Sequence, residues 1–242
     1  MSKLLPLLML AVVGFEALAQ TGNSLDYVMG KLNYAEDDRF ARIPSEIANK
    51  EGMYMRKEAL EAFQKMRKAA AQDGIALRIM SAARSFNHQK RIWEGKWNGN
   101  RLVEGKNMKT AFPEAAERAR FIMKFSSMPG TSRHHWGTDI DINSFSPSYF
   151  DAGKGAREYQ WLVDNAHKYG YCQTYTEKGK ERPDGYEEEK WHWTYLPIAS
   201  PLLMYFKENV TGTDMKGFDG AGSIPFEEVQ KYVFGVSKEC QR

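Results

Sequence analysis

Imidazoles and carboxylates gather in two short stretches of this chain. The first, Ser132-Arg-His134-His135-Trp-Gly137-Thr-Asp139-Ile-Asp141, places two adjacent histidines and two aspartates around one glycine. From Thr138 to Asn143 polar and apolar residues alternate, so a strand would send Ile140 and Ile142 to one face and Asp139, Asp141 and Asn143 to the other. The apolar face belongs to a core and the polar face lines a cleft or the surface. A histidine arriving just before Gly137 can there meet a carboxylate and hold a hard or borderline cation. Taken alone, the same residues read more readily as solvated or hydrogen-bonded polar groups.

The second stretch is Glu187-Glu188-Glu189-Lys190-Trp191-His192-Trp193. On a strand, the two indoles face one way, toward a core, and His192 faces the other, toward a site. Glu189 would fall on the opposite face from His192, so it serves the same site only from a loop ahead of the strand or through a bulge. Together the stretches supply two histidines and one aspartate as ligands, with a position left for water and a glutamate near it. That is the composition of a catalytic zinc centre, whereas a structural zinc is closed by four ligands. Such an ion brings the pKa of its water toward ~7, and a neighbouring carboxylate takes the proton as the water attacks a carbonyl.

Elements must exist to carry these groups. Leu60, Phe63, Met66 and Ala70 recur at helical spacing between Arg56 and Asp73, with Gly74 as the stop. Ile75, Leu77 and Ile79 alternate as a strand that ends at the turn Ser81 to Arg84, and Ser85 caps a helix through Trp93. Pro113 suits the first turn of a helix over 114–125, and Met128-Pro129-Gly130 breaks the chain before the first motif. Further on come a helix over 156–168 stopped by Gly170, a strand over 171–175, a charged loop to Glu188 and a strand over 191–195. Pro201 opens a helix through Phe206 and Pro225 one through Phe234, separated by the surface loop Gly217-Phe-Asp-Gly-Ala-Gly222, which lacks the Lys-Ser/Thr of a phosphate loop. Helices and strands mix without a βαβ rhythm, so the expected fold is α+β, a small antiparallel sheet flanked by helices.

The chain has 242 residues, 42% hydrophobic and 27% charged, with a net charge of +3. One core of good size follows, and the interleaved charges give no nucleic-acid footprint. The first 19 residues carry one lysine, an apolar run from Leu4 to Phe15 and an Ala17-Leu18-Ala19 cleavage site, the pattern of a secretory signal peptide. The run is short of the ~20 apolar residues of a membrane span. The protein is therefore expected to be exported, periplasmic or extracellular, with no membrane span once the leader is removed. Cys172 and Cys240 then meet an oxidising compartment, as one disulfide tying the tail to the core or as two free thiols. Residues 20–50 read as an irregular N-terminal arm, 51–210 as the catalytic domain and 211–242 as a C-terminal extension with a short helix.

Ser132-x-His134-x-x-Gly137-x-x-x-Asp141, followed by Glu189-x-Trp191-His192, resembles the zinc D-alanyl-D-alanine carboxypeptidases of the VanY type, in the M15 peptidase family. Ser81-Ala82-Ala83-Arg84-Ser85, with Gln89 and Ile92-Trp93 after it, is similar to that family's Ser-Gly-Tyr-Arg-Ser segment, and the likeness runs from about Leu60 to Trp193. The resemblance implies a hedgehog/DD-peptidase-like fold and a Zn2+ cofactor held by His134, Asp141 and His192. It implies Glu189 as general base and then acid, Arg84 as a cation acting on the substrate, and Ser81, Gln89 and Ser132 as hydrogen-bonding residues near it. The implied substrates are peptidoglycan stem peptides ending in D-Ala-D-Ala. A guanidinium suits that task, because its fork binds a terminal carboxylate in two parallel hydrogen bonds or steadies an oxyanion.

Two features depart from the family pattern. Asp139 stands where a small residue is usual, as an orienting partner of a ligand or a rival ligand, and Ala82-Ala83 replaces Gly-Tyr. His135 is expected as a neighbour lining the cleft, and His88 and His167 as structural residues. The zinc motif does not see stereochemistry, so an L,D-carboxypeptidase or a cell-wall endopeptidase on the same scaffold, or a wall-binding module without catalysis, are the alternatives.

Overall fold

The structure, a computed structural model, describes residues 23–241, so the signal peptide expected over 1–19 lies outside the described residues. In chain order the elements are α1 (Leu25–Val28), β1 (Phe40–Arg42), β2 (Tyr54–Arg56), α2 (Lys57–Gln72), β3 (Ile79–Ser81), α3 (Phe86–Trp97), α4 (Met108–Ala111) and α5 (Ala115–Met123). They continue as β4 (Asp139–Ile142), α6 (Gly153–Asn165), β5 (Tyr171–Gln173), β6 (His192–Tyr195), α7 (Leu196–Asn209) and α8 (Phe226–Phe234). Short 3-10 turns join several of them, including Arg133–Trp136 just before β4. The fold is α+β, as the pattern of elements led us to expect. β1 and β2 form a two-stranded ribbon, and β3-β4-β6-β5 a four-stranded antiparallel sheet.

The sheet register sets up the site. Ser81 of β3 pairs with Asp141 of β4, which pairs in turn with His192 of β6. Three residues from distant parts of the sequence thus stand in one row across the sheet. Beneath them Ile140, Ile142 and Trp193 enter the core that Leu60, Phe63, Met66 and Ala70 of α2 build. The alternation of β4 is thereby satisfied on both faces.

Several elements depart from expectation for physical reasons. The strand expected over 75–80 shortens to β3, although Leu77 remains buried, because Arg78 and its neighbours bond to Ala48 and Asn143 and not to a ladder. α3 runs on to Trp97, whose ring stacks on Trp93 at 6.0 Å. The loop over 217–222 covers that pair: Phe218 is buried there, and Trp93 Nε1 donates to Asp219 O at 2.8 Å, so it is more than a surface loop. α5 starts beyond Pro113, with Glu114 as its cap residue, and α4 has no clear sequence signal. α7 begins at Leu196, not at Pro201, which lies inside it; burial of Ala199, Leu202 and Phe206 offsets the backbone bond that proline gives up.

The N-terminal arm is not simply irregular. It contributes α1 and β1, and Tyr27, Val28, Met29, Tyr34 and Phe40 join a core cluster with Trp136 and Phe206. Gly137, at φ 70°, lets the chain turn back into β4 under this arm; a Cβ there would lie 2.3 Å from the Phe40 ring. At the other end Cys172 and Cys240 are joined in a disulfide that fastens the C-terminus to β5. Closing a 68-residue separation in this way is worth about 4 kcal/mol in the unfolded-chain entropy model.

Candidate metal and catalytic centre

His134, Asp141 and His192 each direct one ligand atom to a common spot, and those atoms lie within 4.8 Å of one another. His134 Nε2 is 3.3 Å from Asp141 Oδ2, and His192 Nδ1 is 3.2 Å from Asp141 Oδ1. Each imidazole is held from behind. Nδ1 of His134 is 2.9 Å from Ala82 O, an acceptor, so it carries the proton and leaves Nε2 bare toward the site. Nε2 of His192 is 2.8 Å from Asp139 Oδ2, so a proton sits there, and Nδ1 faces the site, where it would bind a metal in place of a second proton.

These donors fit zinc. Two neutral imidazole nitrogens and a carboxylate are a borderline-metal set with room for one more ligand, and Asp141 Oδ1 is a buried oxygen with no hydrogen-bond partner. Burial and the nearby Arg84 lower the His134 pKa, in keeping with a bare nitrogen. Burial opposes the ionised form of Asp141, but His134 and His192 outweigh it and hold the carboxyl well below its usual range. His192 shows the opposite balance. Burial pulls its pKa down, yet Asp139, Asp141 and Glu189 together raise it well above the ordinary value. Three carboxylates around one imidazole thus call for positive charge at this spot, whether a proton or a cation supplies it.

The structure settles the position of Asp139. It lies on the far side of His192 from the ligand cluster, and its oxygens accept from Arg133 Nε at 3.0 Å, Thr138 Oγ1 at 2.8 Å and Thr194 Oγ1 at 2.6 Å besides His192. With four donors it has no lone pair to spare for a metal. It is placed to fix the tautomer and ring angle of His192, as a carboxylate behind a metal-binding histidine would. Arg133, fully buried over the Trp136 ring at 4.6 Å, supplies the compensating charge.

A cleft of about 670 Å³ opens above these three side chains. Glu189 enters it from a tight turn in which His192 N donates to Glu189 O at 3.1 Å, which brings Glu189 Oε2 within 3.1 Å of His192 Nδ1. The glutamate therefore shares the site from the loop, not from the strand. Trp191 differs from expectation for the same reason: it precedes β6 and lines the cleft, while Trp193 alone enters the core. Arg84 reaches in from the other side, with Nη2 3.4 Å from Asp141 Oδ2 and 3.2 Å from Ser81 Oγ, and Nη1 donating to Gln89 Oε1 at 3.1 Å. Ser81 and Ser132 line the cleft. Gln89 does not; it is buried behind Arg84 and ties it to Ser127 O.

The remaining histidines redistribute. His135 does not line the cleft: it is fully buried, with Gly130 N donating to its Nε2 at 3.1 Å and its Nδ1 bonded to Arg84 O. Gly30 packs on its ring so closely that a Cβ would sit 2.2 Å from Nδ1. Tyr34 from the N-terminal arm places its hydroxyl 3.1 Å from Arg84 O and 3.0 Å from His135 O. Arg84 is thus clamped through its backbone by two residues that no local pattern marks. His88 lines the cleft, its pKa lowered to about 4 by burial and the cations near it, and His167 lies away from the centre. Tyr175, whose ring is 4.8 Å from that of His192, also lines the cleft and carries no sequence signal of its own.

Residues 52–198 match the model of the VanY D-alanyl-D-alanine carboxypeptidases. The chain belongs to the VanY family. Among its relatives, the putative carboxypeptidase YodJ of Bacillus subtilis is 32% identical over 145 residues, covering 59% of this chain and 46% of the relative. The D-alanyl-D-alanine carboxypeptidase of Enterococcus faecalis is 27% identical over 137 residues, with 57% and 46% covered. The chain thus spans about half the length of these curated relatives. Among solved structures the LD-carboxypeptidase LdcB is similar, at 25% identity and a TM-score of 0.51, over 73% of this chain and 76% of the other. No helix of the described residues is long and apolar enough to cross a membrane.

Proposed function

We propose that this VanY-family chain is a zinc-dependent carboxypeptidase that removes the terminal D-alanine of peptidoglycan peptides ending in D-Ala-D-Ala, outside the cytoplasm. The observation that carries the reading is the convergence of three buried ligand atoms within 4.8 Å at the floor of a cleft that also holds Glu189 and Arg84. His134 Nε2, His192 Nδ1 and Asp141 would hold the ion. Bound there, zinc supplies Lewis acidity and a water acidified toward neutral pH.

The chain's own groups do the rest. The Glu189 carboxylate takes the proton from the attacking water and later delivers it to the leaving amine of the departing residue. The Arg84 guanidinium meets the negative charge that develops on the scissile carbonyl oxygen, or the terminal carboxylate next to it. Ser81 and Gln89 hold that guanidinium on line, and Ser132 offers a hydroxyl to the peptide. A disulfide between Cys172 and Cys240 suits an exported protein.

An L,D-carboxypeptidase reading draws on one observation, the likeness to LdcB. Mass spectrometry of defined muropeptides separates the two. Conversion of pentapeptide to tetrapeptide, with one D-alanine lost, is expected; shortening of tetrapeptides with pentapeptides left intact would replace the D,D reading with the L,D one.

A further inference from the structure

Lys96, in the last turn of α3, lines the same cleft. Its half-buried ammonium donates to Ser126 Oγ, whose own hydrogen goes to Phe125 O at 2.7 Å. No carboxylate of the described residues pairs with it. An ammonium has three N–H donors, so two are left for whatever enters the cleft. Burial lowers the Lys96 pKa to about 8, with Glu189 raising it and Arg84 lowering it further. A partly desolvated cation without an anion is costly to keep, and a bound anion would relieve that cost.

Arg84 does not fill the same role. Its guanidinium is engaged by Ser81, Gln89 and Asp141, at the reacting centre. A peptide bearing a carboxylate in this cleft therefore has a second cation to meet.

We propose that Lys96 is a carboxylate-binding residue of the cleft, a specificity determinant that pairs with a free carboxylate of the peptide substrate. The carboxylate has two possible sources, the peptide's C-terminus or an acidic residue upstream of the cleaved bond. The proposal rests on the peptidase reading, and its test is arranged so that the two can fail separately.

Four peptides serve as probes: acetyl-Glu-Lys(acetyl)-D-Ala-D-Ala with the glutamyl carboxylate free or amidated, each with the C-terminus free or amidated. Binding is measured calorimetrically on the zinc-loaded chain in the Glu189→Ala background, with and without Lys96→Met. A charge-assisted pair predicts a loss of about 10- to 100-fold in affinity with Lys96→Met. That loss should vanish on the two peptides in which the responsible carboxylate is amidated, which also identifies the source. With Glu189 intact, Lys96→Met should raise KM for D-alanine release and leave kcat within about twofold, and Lys96→Arg should restore KM. An equal loss on all four peptides, or none, overturns the proposal. Wild-type protein that binds these peptides but releases nothing refutes the peptidase reading, while the pattern across the four peptides still decides the role of Lys96.

Discussion

The side chains of Asp141 and His192, on paired strands, are 3% and 5% exposed, whereas those of Glu189 and Arg84, from a loop and a turn, are 19% and 17% exposed. Both pairs face one cleft, but they are held differently. The floor is fixed by the sheet register and by carboxylate and carbonyl partners behind each imidazole. The rim is fixed by single long-range contacts, such as Tyr34 and His135 on the backbone of Arg84. A rigid floor suits a cation that needs exact geometry, and a wetter rim suits groups that must reach a substrate and exchange protons.

The comparison breaks most visibly at the floor. His192→Ala removes one of the three proposed ligands, so zinc and turnover should vanish together, a rate loss of at least about 10³-fold given the several kcal/mol that a Lewis acid contributes. Metal analysis and D-alanine release on the same sample check it. At the rim, Glu189→Ala should keep zinc and lose about 10²- to 10⁴-fold in kcat, the range of a general acid-base group. Zinc retained with turnover intact would remove Glu189 from its role.

Behind the floor, Asp139→Asn should weaken zinc about 10- to 100-fold, as loss of an orienting carboxylate does. It should also lower Tm, because Arg133 then lies buried without its anion. A competition titration with a chelator reads the first effect and calorimetry the second.

Behind the rim, His135 gives a pH signature in stability. Burial depresses its pKa to about 3, so the folded state holds it neutral, with Nε2 accepting from Gly130 N–H. The stability this contributes is present in full above the unfolded value of about 6.5 and is lost as pH falls toward 3. Chemical unfolding at stepped pH should show that slope in the wild type, and His135→Asn, which has no titrating ring, should reduce it.

The same contrast governs what was legible in the sequence. The β4 alternation carries a period of two, so the polar face with Asp139 and Asp141 could be read directly, and the α2 stripe likewise. Strict alternation put Glu189 on the wrong face, which left a loop or a bulge as its routes to the site, and only the folded turn decides for the loop. Tyr34, 50 residues from Arg84 and 101 from His135, leaves no periodic trace, since its contacts exist only once the arm has docked. Asp139 was ambiguous for a related reason: alternation sets its face, but only the positions of Arg133 and Thr194 show on which side of His192 it lies. Pro201 misled because a local helix-start signal was outweighed by the tertiary packing of α7.

The most direct test of a three-ligand floor is to titrate zinc into chelator-stripped protein while following D-alanine release from a pentapeptide. Activity should rise in proportion to added metal and level off at one equivalent per chain, with His134→Ala and His192→Ala silent at the same concentrations. Full turnover by the stripped protein, or release that persists in both variants, would contradict the account.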